Sequence, residues 1–381
     1  MQKIKSGIYI HIPFCESRCI YCGFYSTTQL SMHARYVEAV IREMDMRRHT
    51  VAYTPTGYGM YAADTIYIGG GTPSILAPVE IERILRKVYD VYGENPCEVT
   101  MEMNPDDITS ELVSAIKSFG VNRVSIGVQT FNDKRLNFLR RRHTADEAHK
   151  AVDTIRRCGI TNVNIDLMFG FPNETLDEWR SDIDTVLAIR PNHVSAYCLM
   201  YEEGTPLHRM LKSGRVSQIG EDKYIAMYNE LMDRLSAAGY EHYEISNFAL
   251  PGCRSLHNSS YWRDIPYLGF GAAAHSYLGD SRSWNISNLM EYIEAIEHGA
   301  LPLEYEKIDV ATHYNDLITT TLRTQEGLDL NMLPEEFREY AVKNAVEYIA
   351  AGLLEKDHDS LRLTRKGIFV SDMIMSDMMK V

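Results

Sequence analysis

The chain has 381 residues, 45% apolar and 24% charged, a composition that excludes disorder and low-complexity scaffolding and suits two or three domains of ordinary size. Lys and Arg number 39 against 52 Asp and Glu, and the net charge of −13 excludes the basic face of a nucleic-acid binder. The seven cysteines form no pairing ladder, Met1–Gly7 is polar, and the apolar stretch Ile8–Phe14 is broken by His11 and Pro13. No secretory leader or membrane span is therefore expected, and the chain reads as cytoplasmic with reduced thiols.

In chain order, short apolar strands are predicted at Ile8–Phe14, Thr65–Ile68, Glu98–Asn104, Arg123–Thr130, Asn162–Met168 and His193–Met200. Amphipathic helices are predicted between them at Met32–Arg47, Ile81–Tyr92, Glu111–Phe119, Ala145–Cys158 and Leu176–Ile189, with Gly120, Gly159, Pro105 and Pro172 at the joints. Six strand–helix units mean a parallel sheet that stops short of an eight-unit barrel. One face of nearly every strand is polar or small: Tyr9 and His11; Thr100, Glu102 and Asn104; Ser125, Gly127 and Gln129; Asn162, Asn164 and Asp166. With the apolar faces turned to the helices, these side chains converge on an interior that is not a dry core, and a ligand-filled cavity is expected there.

Beyond residue 210 the rhythm changes. A long helix Glu221–Ala238, a strand-like Tyr240–Phe248 and an irregular aromatic stretch Cys253–Tyr277 lead to a helical region from Asp309. A helix Ala341–Ala351, a strand pair Leu354–Lys356 and Ser360–Leu363, and a last helix after Lys366 suggest a winged-helix-like end. The expected division is a barrel core over 1–210, an extension over 211–305 and a mostly helical terminal domain over 306–381. Met373, Met375, Met378 and Met379 are read as helix packing or a loose tail, and Cys97, Cys158, Cys198 and Cys253 as small core residues.

The strongest local signal is Cys15-Glu-Ser-Arg-Cys19-Ile-Tyr-Cys22, directly after the first strand. A zinc site takes four ligands, and no fourth Cys or His lies at motif spacing. Three thiolates on a four-iron cluster leave one iron open. A structural loop and a zinc site remain the alternatives at this point. The second signal is Gly69-Gly-Gly-Thr-Pro73, whose glycines let backbone approach a ligand closely, though alone it equally describes a tight turn. It lacks the spacing of a phosphate loop.

Cys-x3-Cys-x2-Cys with an aromatic before the third cysteine resembles the radical S-adenosylmethionine (SAM) superfamily. The resemblance implies a partial (β/α)6 barrel and a [4Fe–4S] cluster on Cys15, Cys19 and Cys22. It also implies SAM held by Tyr9, Gly70, Gly71, Thr72 and Glu102, with Gln129, Arg141 and Asp166 lining the neighbouring site. Tyr9–Cys15, Gln129–Phe131, Asp166–Pro172 and Tyr243–Ala249 look like the oxygen-independent coproporphyrinogen III oxidase group, which contains true oxidases and haem chaperones. True oxidases usually carry a fourth cysteine two residues after the third, where this chain has Phe24, and an N-terminal extension, whereas here the first cysteine stands at residue 15. His257-Asn-Ser-Ser-Tyr261-Trp262 resembles the motif of the chaperone branch, which is associated with haem.

The resemblance thus implies haem as a ligand, with His257 able to ligate iron and Tyr261 and Trp262 able to pack on the macrocycle, against the alternative of a hydrogen-bonded loop histidine beside core aromatics. His275 is a second candidate near the cavity, and of Arg140–Arg142 only Arg141 has a family role. A haem-accepting protein and an electron donor are the implied partners; peripheral membrane contact and a homodimer stay open. The competing expectations are decarboxylation of coproporphyrinogen propionates and, more distantly, radical modification of haem.

Overall fold

The computed structural model describes residues 3–54, 57–93 and 95–380. The first seven strands are β1 (Lys3–Ile12), β2 (Val51–Thr54), β3 (Gly57–Gly70), β4 (Glu98–Met103), β5 (Arg123–Gln129), β6 (Asn162–Phe169) and β7 (His193–Cys198). Six of them run parallel in the order β1-β3-β4-β5-β6-β7, while β2 pairs antiparallel with β3. Two strands, β8 (Glu241–Glu244) and β9 (Asn247–Ala249), continue the β7 edge. On the other edge β10 (Tyr267–Phe270) runs parallel to β1 and leads to the antiparallel β11 (His275–Tyr277), β12 (Ser281–Asn285) and β13 (Leu303–Lys307). The sheet path ends at β13 and β8 without closing, so the molecule is the expected partial (β/α)6 barrel with antiparallel extensions.

The alternation in the strands explains which side faces in. Ile8, Ile10, Ile12, Val99, Met101, Val124, Ile126, Val163 and Ile165 are buried against the helices, where each contributes about 1.5–3 kcal/mol by leaving water. Their polar alternates line the interior. The helices begin where the sequence caps them: Thr144 with Glu147 and Thr175 with Glu178 form capping boxes at Ala145–Arg157 and Leu176–Ile189. A second apolar cluster gathers Tyr314, Leu317, Ile318, Leu330, Phe337 and Leu361 with Met375 and Met378 around the small sheet of β14 (Leu328–Asp329), β15 (Leu354–Asp357) and β16 (Ser360–Leu363). Met373 of the same terminal helix is exposed.

Several elements differ from expectation. β3 runs for 14 residues rather than over Thr65–Ile68, because its small, glycine-interrupted first half carries no alternation of its own and is recruited by pairing with β1 and β2. Tyr240–Phe248 is two strands rather than one. The stretch Cys253–Tyr277 is ordered structure, a helix Leu256–Trp262 followed by β10 and β11. Of the isolated cysteines, Cys158 and Cys198 are half-buried and pack against the core, whereas Cys97 is exposed and Cys253 half-buried outside it, so the core reading holds for two of the four. Among the described residues no helix is long and apolar enough to cross a membrane.

Candidate functional site: the barrel mouth

β1 delivers the chain through Pro13 into the cysteine loop at the C-terminal end of the sheet. Thr27 N–H donates to Pro13 O (2.7 Å) and Cys15 N–H to Thr27 O (2.9 Å), closing the loop at its neck. At mid-loop, Ile20 N–H donates to Leu139 O (3.2 Å), and Ile20 O accepts from Leu207 N–H (3.0 Å). The Ile20 side chain is buried with Leu139, Met168, Phe171, Leu199 and Leu207, so an apolar anchor holds the loop while its polar sequence stays outside. Burial pushes the Cys15 and Cys22 thiols up; the Thr72 hydroxyl, 3.5 Å from Cys15 Sγ, and the Phe24 backbone N–H at Cys22 act against it.

The glycine turn is pressed onto this loop. A Cβ on Gly71 would lie 2.7 Å from Phe14 O and 2.8 Å from the Pro13 carbonyl carbon, and one on Gly70, at φ +117°, would lie 2.6 Å from the His11 ring. Gly70 N–H donates to Glu102 Oε2 (3.0 Å), and the Tyr67 hydroxyl donates to Glu102 Oε1 (2.8 Å). Burial, with a smaller contribution from Asp166, raises the Glu102 carboxyl to about 7. Tyr9 stands beside it: its ring is 6.2 Å from that of Tyr67, and its hydroxyl is 3.0 Å from His11 Nδ1. Burial lowers His11 to about 4, so this ring is neutral.

Arg141 ties the far strands to the cysteines. Its guanidinium donates to Gly127 O (2.6 Å) and Asn104 Oδ1 (2.8 Å), and lies 3.6 Å from Cys19 Sγ. A break in register between Gly127 and Gln129, with Gln129 at φ +71°, ends β5 beside the same group. Buried Asp182 accepts from the Thr130 hydroxyl (2.6 Å) and from Phe131 N–H (3.0 Å) and holds this strained turn in place. Asp166, raised by burial, accepts from Ser125 (3.1 Å) and Asn164 (2.7 Å) on the interior wall.

Cys15, Cys19, Cys22, Tyr9, Gly70, Gly71, Thr72, Glu102, Gln129, Arg141 and Asp166 thus line one mouth and the wall below it. Tyr67 was hidden because an aromatic in a short apolar run reads as core. Arg142, which has no family role, pairs with Glu16 of the cysteine loop and with Asp106 and Asp107 (both 2.8 Å). Its partners are distant in sequence, so no local pattern marks it.

His257 is elsewhere. It lies on the helix Leu256–Trp262 at the N-terminal end of the strands, against Gly7 and Thr65, fully buried. Both ring nitrogens are engaged, Nδ1 with the Thr65 hydroxyl (2.9 Å) and Nε2 with the Tyr261 hydroxyl (2.9 Å). Burial and then Arg123 lower it to about 3. Of the two readings of His257, an iron ligand or a hydrogen-bonded histidine beside core aromatics, this structure shows the hydrogen-bonded arrangement, with the ring as a strut of the barrel floor. Glu98 pins its helix, accepting from Leu256 N–H and His257 N–H (both 2.9 Å) at the helix N-terminus. His275 is likewise not in the cavity; it is exposed on β11, stacked on Trp284 with centroids 5.7 Å apart.

The donor set at the mouth suits an inorganic cluster. Three soft thiols come from one loop, and among the described residues no three His, Cys, Asp or Glu converge on a single-ion site. A four-iron cubane takes one thiolate per iron and keeps its ligand sulfurs farther apart than a single ion does. The backbone of the glycine turn passes beside these thiols with no side chain in the way.

Comparison with known proteins agrees with this geometry. Residues 9–186 match the model of the Radical SAM superfamily, and residues 308–370 that of the HemN C-terminal domain. The heme chaperone HemW of Lactococcus lactis subsp. lactis is 32% identical over 373 residues, 96% of this chain and 95% of the relative. The chain belongs to the HemW family of radical SAM proteins. HemW of Bacillus subtilis is also 32% identical, over 94% of this chain and 95% of its own length. The solved coproporphyrinogen III oxidase (HemN) of Escherichia coli covers 99% of this chain and 91% of its own, with a TM-score of 0.84; at 21% identity that likeness shows the fold alone. In this HemW-family chain the residue two beyond the third cysteine, Phe24, is 73% exposed on the loop.

Proposed function

We propose that this chain binds a [4Fe–4S] cluster through Cys15, Cys19 and Cys22 and SAM beside it, binds haem, and passes haem to an acceptor protein. The observation that carries the cofactor reading is the meeting of three elements at the thiols: the Thr72 hydroxyl on Cys15, the Arg141 guanidinium on Cys19, and the Gly71 backbone against Pro13 and Phe14. When bound, the cluster supplies an open iron and one-electron chemistry, for which an electron-donor protein is the implied partner. The protein's own share is to hold and orient: Gly70–Thr72 present backbone and hydroxyl groups, Glu102 and Asp166 present acceptors, and Gln129 and Arg141 bound the neighbouring space. The haem reading rests on the family, whose curated relatives are named heme chaperones. Ligation of haem iron by His257 requires the helix Leu256–Trp262 to leave the floor, because both ring nitrogens are occupied where it now sits.

The test is anaerobic reconstitution, followed by haem titration and transfer to an apo-haem protein. In parallel the loaded protein receives coproporphyrinogen III, SAM and a low-potential reductant. The expected result is stoichiometric haem binding and transfer without protoporphyrin formation, and robust decarboxylation would replace this reading with an oxidase. Changing any one of Cys15, Cys19 or Cys22 to Ala is expected to remove all four irons together.

A further inference from the structure

A line of aromatic rings runs from the barrel mouth to the outer surface. Tyr9 and Tyr67 stand at the mouth, 6.2 Å apart between centroids, each with part of its surface open. From Tyr67 the centroid spacings are 5.3 Å to His257, 5.2 Å on to Tyr261, 4.6 Å to Tyr267 and 6.4 Å to Tyr277. The line passes from β3 to the helix Leu256–Trp262 and then to β10 and β11, so four elements supply it. His257 at its centre is fully buried, and Tyr261, Tyr267 and Tyr277 are half-buried.

Packing alone would be served as well by phenylalanine. What the hydroxyls add is a base for each of four phenols. Tyr9 O–H donates to His11 Nδ1 (3.0 Å), since Nε2 of that ring donates to Tyr25 O (3.0 Å). Tyr67 O–H donates to Glu102 Oε1 (2.8 Å), and Tyr277 O–H to Asp264 Oδ1 (2.5 Å). The Tyr261 hydroxyl meets His257 Nε2 (2.9 Å); the tautomer with Nδ1–H toward the Thr65 hydroxyl (2.9 Å) makes that nitrogen the acceptor. Burial holds the Tyr67 and Tyr261 phenols well above their ordinary range, so neither loses a proton on its own. Such a phenol gives up an electron only together with its proton, and each here has somewhere to send it. A phenol that has lost its electron is a far stronger acid than imidazolium, so even a His257 ring held at about 3 by burial and Arg123 takes the proton. At the far end Asp264 Oδ2 lies 2.9 Å from Nε2 of His313, a side chain 36% exposed, so the last base is in contact with water.

We propose that Tyr67, Tyr261 and Tyr277, bridged by the rings of His257 and Tyr267, relay one-electron oxidation from the barrel mouth to the outer surface and so spare the mouth from oxidants formed there. The oxidant class is the hydroxyl radical that peroxide yields at iron. It takes an electron from Tyr67 and becomes hydroxide, while the Tyr67 proton shifts to Glu102. Tyr261 refills Tyr67, whose proton returns, and its own proton shifts to His257 Nε2. Tyr277 refills Tyr261 in the same way, with Asp264 as its base. A thiol in solution gives Tyr277 the last electron and releases its proton. The hydroxide takes up a proton to become water, and two thiyl radicals from two such events join as a disulfide.

This relay rests on the cluster reading above, and the iron content of the protein, measured first, separates the two: no retained iron refutes that reading and removes the source of oxidant with it. The full-length, cluster-loaded protein is then treated with limiting hydrogen peroxide and a spin trap, and trapped tyrosyl adducts are mapped by mass spectrometry. In wild type the adduct should concentrate at Tyr277, above the level at Tyr305, which is 64% exposed and off the line. Tyr67→Phe and Tyr261→Phe, each matched to wild type in iron content, should lose the Tyr277 adduct down to the Tyr305 level and gain damage at Tyr9. The two variants break the line at different elements, so one that fails to fold leaves the other to decide. A Tyr277 adduct unchanged in either iron-loaded variant overturns the proposal, as does wild type labelled no more at Tyr277 than at Tyr305.

Discussion

The attachment of the motif helix to the barrel floor gives a quantitative prediction. Glu98 is 3% exposed, and its two oxygens accept from the N–H groups of Leu256 and His257, with the Ser255 hydroxyl 3.4 Å from one of them. Replacement by Gln preserves size but turns one acceptor into an NH2 group facing an N–H donor. The remaining bond loses its charge assistance, and one buried N–H is left without an acceptor. A charge-assisted bond contributes about 1.5–3 kcal/mol and an orphaned buried donor costs about 1–3 kcal/mol, so Glu98→Gln should weaken the seat of this helix by about 3 kcal/mol. Native-state hydrogen exchange reads this locally: the amides of Ser259–Trp262 should exchange on the order of a hundredfold faster while β4–β6 keep their protection. If His257 reaches haem iron by leaving the floor, the same variant should also take up haem faster, and adding His257→Ala should cancel the gain. An exchange change under about tenfold, or one spread evenly over the chain, refutes the idea of a local latch at Glu98.

Two further predictions concern the mouth. Glu102 keeps its proton up to about pH 7 in the fold but releases it near 4.5 when unfolded, so its contribution to stability is present below 4.5 and is lost as pH rises to 7. The urea midpoint of wild type should therefore fall between pH 5 and 7.5 relative to Glu102→Gln, and parallel profiles would show that the carboxyl titrates normally. Gly71→Ala places a methyl 2.7 Å from a backbone oxygen that has no room to yield, with a cost of about 1–3 kcal/mol and loss of cluster retention. Gly220→Ala, with nothing within 4 Å, is the neutral control, and equal iron content in both variants would refute the close-packing argument.

Much of the mouth was legible in the sequence because its logic is local. Three cysteines share a loop, glycines end a strand, and a period of two separates Glu102, Gln129 and Asp166 from the apolar residues between them. These signals depend on backbone geometry that a strand imposes on any sequence. What stayed hidden depends on contacts between distant segments. The His257 motif is well marked by its residue types, but its position on the floor is set by Glu98 and Thr65, about 160 and 190 residues earlier. The same holds for Arg142, whose charge reads as solvated until Glu16, Asp106 and Asp107 are brought to it. β10 was missed because Tyr267–Phe270 is short and glycine-bearing; it is a strand only because β1 offers an edge.

The neck of the cysteine loop has a kinetic consequence. The backbone bonds between Thr27 and residues 13 and 15 close the loop by themselves, and Ile20 is anchored in an apolar pocket at its far end. The loop is therefore closed by the chain's own bonds and not by its thiols, unlike a zinc finger, whose chain must fold around the metal. Metallation then involves little ordering entropy, so iron and sulfide should enter at a rate set by encounter and cluster assembly rather than by chain folding. Loss of the cluster to oxygen should leave the barrel folded and ready to be refilled.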